Sequence, residues 1–131
     1  MPAPSPLPPP LQWMLLALAG GTGTLARALV SDVAARHFGP GFPWGTATVN
    51  VVGALLFGWI VATVRSRADL PEGLETLLLV GLLGGFTTFS SYVFQAVDLW
   101  QQGRHAAAVL YVVGSNAAGL LAVWAGLRLA A

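Results

Sequence analysis

The sequence predicts an all-α membrane protein with four spanning helices, and three observations point to it. Charged residues make up 8% of the 131 positions and apolar residues 56%, whereas an ordinary soluble domain is about 25% charged. The charges are confined to short intervals. Between these run four apolar stretches, 11–29, 44–64, 76–97 and 106–127, interrupted only by Arg27. Each is near the roughly 20 residues that carry a helix across about 30 Å of hydrocarbon. The spacing places helices approximately over 11–31, 44–64, 75–98 and 106–128, in a single domain covering 11–131, with almost no chain left for a soluble module.

Residues 1–10 contain six prolines, Pro2, Pro4, Pro6, Pro8, Pro9 and Pro10, and no basic side chain. They lack the positive n-region of a cleavable signal peptide and read as a polyproline-like or disordered tail. Cysteine is absent, which excludes disulfides and thiolate metal sites. A net charge of +1 predicts no nucleic-acid surface.

Helix 1 carries Gly20, Gly21 and Gly23, with Arg27 near its end. Helix 2 sets Asn50 one turn beyond Thr46 on the same face. An amide in hydrocarbon needs partners; helix-to-helix glue, worth about 1 kcal/mol or less per bond, and a ligand role are equally open there. Helix 4 aligns Tyr111, Ser115 and Gly119 into a narrow polar stripe that suits the wall of a path, and Asn116, about 100° away, reads as glue.

Helix 3 holds the most informative run, Gly84-Gly85-Phe86-Thr87-Thr88-Phe89-Ser90-Ser91-Tyr92. Glycines and hydroxyls at membrane depth predict a broken helix, because irregular backbone survives there only when protein or a water-filled cavity surrounds it. Gly81 and Gly85 form a GxxxG pair, and Ser115 and Gly119 a small-xxx-small pair, both permitting close helix approach. Four helices make a thin bundle, so oligomerisation is expected.

The arginines divide almost evenly between the two sides of such a bundle. Arg65, Arg67 and Arg128 fall on one side, Arg36 and Arg104 on the other, with Arg27 near the latter. Orientation follows a Lys/Arg excess, so a chain without one is expected to insert both ways.

No acidic residue lies inside a predicted span: Asp32, Asp69, Glu72, Glu75 and Asp98 are assigned to loops or ends. A proton-coupled exporter needs an embedded titratable group. No Glu/His cluster offers a catalytic metal site, and Gly84-Gly85 lacks the lysine and Ser/Thr of a phosphate loop. Enzyme chemistry lacks its parts. What remains is a path of neutral donors and aromatic edges guarded by one arginine, which suits a small anion.

These residues resemble the small bacterial and archaeal fluoride channels of the Fluc/CrcB family, over nearly the whole chain after the proline tail. The resemblance is carried by Gly20-Gly21-Thr22-Gly23-Thr24-Leu25-Ala26-Arg27, by Trp44-Gly45-Thr46-Ala47-Thr48-Val49-Asn50-Val51-Val52-Gly53, and above all by Gly84-Gly85-Phe86-Thr87-Thr88-Phe89-Ser90. It implies passive fluoride conduction that relieves fluoride toxicity. It also implies an antiparallel dimer in the cell membrane, of two copies or of paired gene products, with two pores at the interface. Asn50, Phe89, Ser90, Tyr92, Tyr111 and Ser115 would then line the pore, and Arg27 the vestibule. The backbone carbonyls of Gly84 and Thr87 would hold a structural Na+ at the dimer centre. Two positions depart from the family pattern: Tyr92 stands where a second phenylalanine is usual, and Gln95 where a glutamate is common.

Two other readings compete. A small dual-topology multidrug or cation exporter needs a membrane-embedded carboxylate. A non-conducting assembly subunit predicts that Asn50→Asp and Phe89→Ile alter stability and leave anion flux unchanged.

Overall fold

A computed structural model describes residues 8–130; of the irregular tail expected over residues 1–10, residues 1–7 lie outside that range, and Pro9 and Pro10 belong to a helix. The first helix, α1 (Pro9–Phe38), starts two residues earlier than expected. Proline is tolerated in a first helical turn because the N–H it lacks has no intrahelical partner there. The same helix also ends later, at Gly39, whose φ of 74° suits a residue without Cβ. Asp32 and Arg36 therefore belong to the helix and not to a loop. They form an exposed i,i+4 ion pair at 2.7 Å. Hydropathy marks where hydrocarbon ends, and helix propensity carries the backbone on past that point.

The second helix, α2 (Trp44–Ser66), and the last, α6 (His105–Leu129), agree with the expected segments within two residues at each end. The third span, Leu74–Gln101, is composite. It contains α3 (Leu74–Thr76), a π-helical segment (Leu77–Leu83), α4 (Gly84–Phe86) and α5 (Phe89–Gln101). In the π segment the backbone repeat lengthens, and the Gly84 N–H reaches the Leu79 carbonyl five residues back. Thr87 (φ −88°, ψ 159°) and Thr88 (φ −150°, ψ 120°) are extended between α4 and α5.

Four helical stretches are long and apolar enough to cross a membrane, with mean hydropathies of 1.4, 1.9, 1.7 and 1.8, and no strand occurs among the described residues. The chain is a multi-pass membrane protein. Exposed tryptophans occur toward both ends of the bundle: Trp13, Trp59 and Trp124 toward one, Trp44 and Trp100 toward the other. Amphipathic indoles favour the two membrane–water interfaces.

Two pairings organise the bundle: α2 lies along α6, and α1 lies along the π segment and α4. Both depend on glycine. A Cβ at Gly58 would strike the Val123 carbonyl, and one at Gly126 the Leu55 carbonyl. A Cβ at Gly23 would strike the Leu82 carbonyl, and one at Gly85 the Gly20 carbonyl. The GxxxG pair of helix 3 thus makes a close contact with α1, where Gly81 faces Ala19 and Leu16. The expected Ser115/Gly119 contact is not made within the chain, since a Cβ at Gly119 would meet nothing within 4 Å. Gly126, further along α6, is the residue that lets α2 approach.

Apolar side chains fill two small cores. Ile60, Leu79 and Leu83 form one, and Leu99, Ala108 and Tyr111 the other. Many large apolar residues remain exposed on this single chain, Leu18, Phe94 and Leu120 among them. Lipid, or another transmembrane surface, is the medium that suits such a perimeter.

Candidate functional site

Asn50 stands half-buried on α2 and faces the extended threonines of the third span. Its Nδ2 donates to the Thr88 carbonyl at 3.0 Å, and its Oδ1 accepts from the Thr88 N–H at 2.8 Å. One side-chain amide therefore satisfies both backbone groups of a single residue. Neither reading of Asn50 from the sequence specified this partner. The amide joins two helices, and what it joins to is the one stretch of backbone unable to satisfy itself.

The hydroxyls nearby complete the arrangement. Thr87 Oγ1 donates to the Leu83 carbonyl at 2.9 Å, and Thr88 caps α5. The Thr88 Oγ1 accepts from the Ser91 N–H at 3.3 Å and donates to Ser91 Oγ at 3.1 Å. Threonine is a favoured N-cap because its oxygen meets the first orphan N–H groups of a helix. The carbonyls before α5 lose their helical donors as a result, those of Gly84 and Thr87 among them. In a continuous helix the Thr88 N–H would donate to Gly84 and the Ser91 N–H to Thr87. Here those donors turn to Asn50 and to the Thr88 hydroxyl.

A groove of about 350 Å³ runs beside this point, bordered by Asn50, Gly53, Phe57, Thr87, Phe89 and Val123. Gly53 makes room for the Thr87 methyl, which a Cβ would displace. Phe89, the first residue of α5, is 77% exposed, and Ser90 beside it is exposed as well. From Phe89 a sequence of rings continues along the bundle. Its centroid lies 6.0 Å from that of Tyr92, and Tyr92 lies 5.2 Å from Tyr111. Phe42 meets Tyr111 edge-on at 5.4 Å.

Both positions that depart from the family pattern are tied to α6. The Tyr92 hydroxyl accepts from Asn116 Nδ2 at 2.6 Å and donates to the Val112 carbonyl at 3.3 Å. The hydroxyl that tyrosine adds thus has partners, and Asn116 joins α5 to α6. Tyr111, at 1% exposure, donates to Gln95 Oε1 at 2.9 Å. Ser115 is half-buried one turn beyond Tyr111.

Arg27 is half-buried on α1 and borders neither the groove at Asn50 nor the cavity beside Gln95. It is not near the helix end, as the sequence suggested, because Phe38 lies eleven residues further along, about 16 Å of helix. The polar turns from Asp32 onward extend past the apolar stretch. Arg27 therefore sits two residues inside the end of that stretch, within reach of the interface for a long side chain.

Sequence reasoning grouped Thr88 with the other hydroxyls and gave it no separate role. The signal was present: a threonine two residues after Phe86 that opens a new amphipathic helix is a good N-cap.

An α-helical bundle with four spans, a polar interruption in one of them and a line of rings and hydroxyls beside it defines a class, that of small integral membrane proteins. The comparisons narrow this. Residues 14–127 match the family described as CrcB-like protein, Camphor Resistance (CrcB). The chain is 39% identical over 119 residues to a Rhizobium etli protein named fluoride-specific ion channel FluC, covering 91% of this chain and 95% of that one. It is 41% identical over 115 residues to the Agrobacterium fabrum protein of that name, covering 88% and 92%. With fluoride-specific ion channel FluC 1 of Symbiobacterium thermophilum it shares 39% over 120 residues, covering 91% and 97%. This chain belongs to the CrcB-like family.

Proposed function

We propose that the protein is a fluoride-selective passive ion channel that exports fluoride from the cytoplasm and lowers its toxicity. One observation carries the reading: Asn50 holds the extended Thr88 in place beside a groove into which Phe89 opens. The names of the relatives point the same way.

In this reading two copies insert in opposite orientations into the cell (inner) membrane and form two pores at their interface. The near-even division of arginines supports dual insertion. The exposed Phe89 ring supports a site completed by a second copy. Thr87 and Thr88 then mark the break of helix 3 near the bilayer midplane, where uncovered backbone is tolerated only beside protein or a cavity. Fluoride passes ring edges at Phe89 and Tyr92 and donors from Asn50, Ser90, Tyr111 and Ser115, while Arg27 attracts it from the vestibule. Ring edges carry partial positive charge and hydroxyls donate, so water can be exchanged for protein donors in steps. The carbonyls of Gly84 and Thr87, relieved of their helical N–H partners, are hard oxygen donors fit for a structural Na+ shared by the two copies.

The test is fluoride release from liposomes containing only the purified protein, read with a fluoride electrode, with chloride as control. Fluoride is released and chloride is retained; Phe89→Ile and Asn50→Asp reduce the release. Equal chloride flux, or absence of fluoride flux, rejects the selective-channel reading. Unchanged flux in both variants favours the non-conducting assembly subunit.

A further inference from the structure

A second cavity, of about 250 Å³, lies where the later part of α1, the 39–43 connection and the start of α2 meet the end of α5 and Arg104, just before α6. It has room for several water molecules. Its deep side includes Thr46, 6% exposed, and Gln95, the acceptor of the Tyr111 hydroxyl. Arg104 lies on its outer side, with Nη1 donating to the Gly41 carbonyl. Two residues of its wall, Gln95 and Phe42, touch Tyr111, so the cavity lies next to the line of rings.

The charges and donors on this wall are unequal in availability. Among the described residues the ion pairs are Arg36 with Asp32 and Arg67 with Asp69, so Arg104 is held by a neutral carbonyl and by no carboxylate. Gln95 has its oxygen occupied by Tyr111, which leaves its amide N–H groups as donors. The opposing charge is Asp98, whose Oδ2 accepts from Gln102 Nε2 at 2.7 Å. A hydrated anion entering here would find a cation first and neutral donors deeper in.

We propose that this cavity is an anion-collecting mouth of the conduction path, in which Arg104 concentrates fluoride and Gln95 passes it toward Tyr111, against a standing repulsion from Asp98. The assignment rests on the channel reading. It places a rate-setting charge on the α5–α6 turn, away from the rings that handle the dehydrated ion.

Fluoride efflux from liposomes of the full chain, measured in an impermeant salt at low and at about 1 M ionic strength, tests it. At low ionic strength Arg104→Gln lowers the initial rate about two- to threefold, the size expected of one unit charge several ångströms from an ion in water-like surroundings. Arg104→Lys retains most of the rate, and Asp98→Asn raises it. All three approach wild type near 1 M salt, where the screening length is about 3 Å.

A wild-type rate in Arg104→Gln at low salt overturns the mouth. So does a loss that is equal at both salts and shared by Arg104→Lys, because that pattern means the side chain merely holds the Gly41 loop. Should Arg104→Gln fail to elute as a single species, Asp98→Asn decides: a gain that salt removes supports the mouth, and no gain overturns it. A wild-type protein that releases no fluoride rejects the channel reading along with the mouth; wild-type release with a flat variant series rejects the mouth alone.

Discussion

The contact of α1 with the third span and the contact of α5 with α6 solve one problem by different means. At the first, Gly23 and Gly85 bring backbones together so closely that a single Cβ would strike a carbonyl. At the second, hydrogen bonds between side chains cross the gap, Tyr111 to Gln95 and Asn116 to Tyr92. Lipid supplies no hydrophobic force between helices, so association depends on packing or on polar pairs. The packed contact is intolerant of added volume, and the polar contact is tolerant because each bond adds little. The difference places rigidity beside the π segment and adjustability beside the rings.

Substitutions can break this contrast or sharpen it. Gly23→Val and Gly126→Val are expected to cause the largest losses, at the upper end of the roughly 1–3 kcal/mol associated with overpacking. The readout is the fraction of detergent-extracted protein that stays monodisperse after heating. Melting within a degree of wild type would show that the helices can simply move apart. Asn50→Leu comes next, since it strands the N–H and carbonyl of Thr88; both are only part-buried, so each costs about 1 kcal/mol, the lower end for an unsatisfied group. The same heating assay reads it, and wild-type resistance would mean that water does replace the amide.

Smaller effects follow at the polar contact. Tyr111→Phe removes one interhelical bond and Tyr92→Phe two, with an expected cost of about 0.6 kcal/mol per bond, the average for such bonds in a membrane protein. A double-mutant cycle between Tyr92→Phe and Asn116→Leu should show coupling of that order, and strict additivity would remove Asn116 from the contact. Gly119→Ala should change stability by less than about 0.5 kcal/mol, because its Cβ enters open space. In the heating assay a large loss at Gly119 would reveal a partner surface packed against it.

Much of this architecture is legible in the sequence because hydropathy is a local property. The apolar stretches place all four spans, and the glycines of helix 3 correctly announce close packing at Gly81 and Gly85. The end of α1 is not legible in that way, since Asp32 through Phe38 leave the apolar stretch but remain good helix. Gly126 is missed for another reason. Its contact is with the backbone of Leu55 and Trp59 on a different helix, and no spacing within α6 reveals it. The polar residues are visible in composition, but the pairing of Asn50 with Thr88 spans 38 positions and exists only once α2 lies beside the third span.

The Asn50 bonds to Thr88 have the form of a rung in a β-ladder. A side-chain amide has the same donor and acceptor as a peptide group, so it can pair with an extended residue as a neighbouring strand would. Thr88 is in effect a one-residue strand whose partner strand has been reduced to a single asparagine. Such a mimic must present a donor and an acceptor together at one reach. Aspartate lacks the donor, serine has a single oxygen, leucine has neither group, and glutamine sets the amide one methylene too far. The side chain at position 50 is thereby specified by the needs of a backbone 38 residues away.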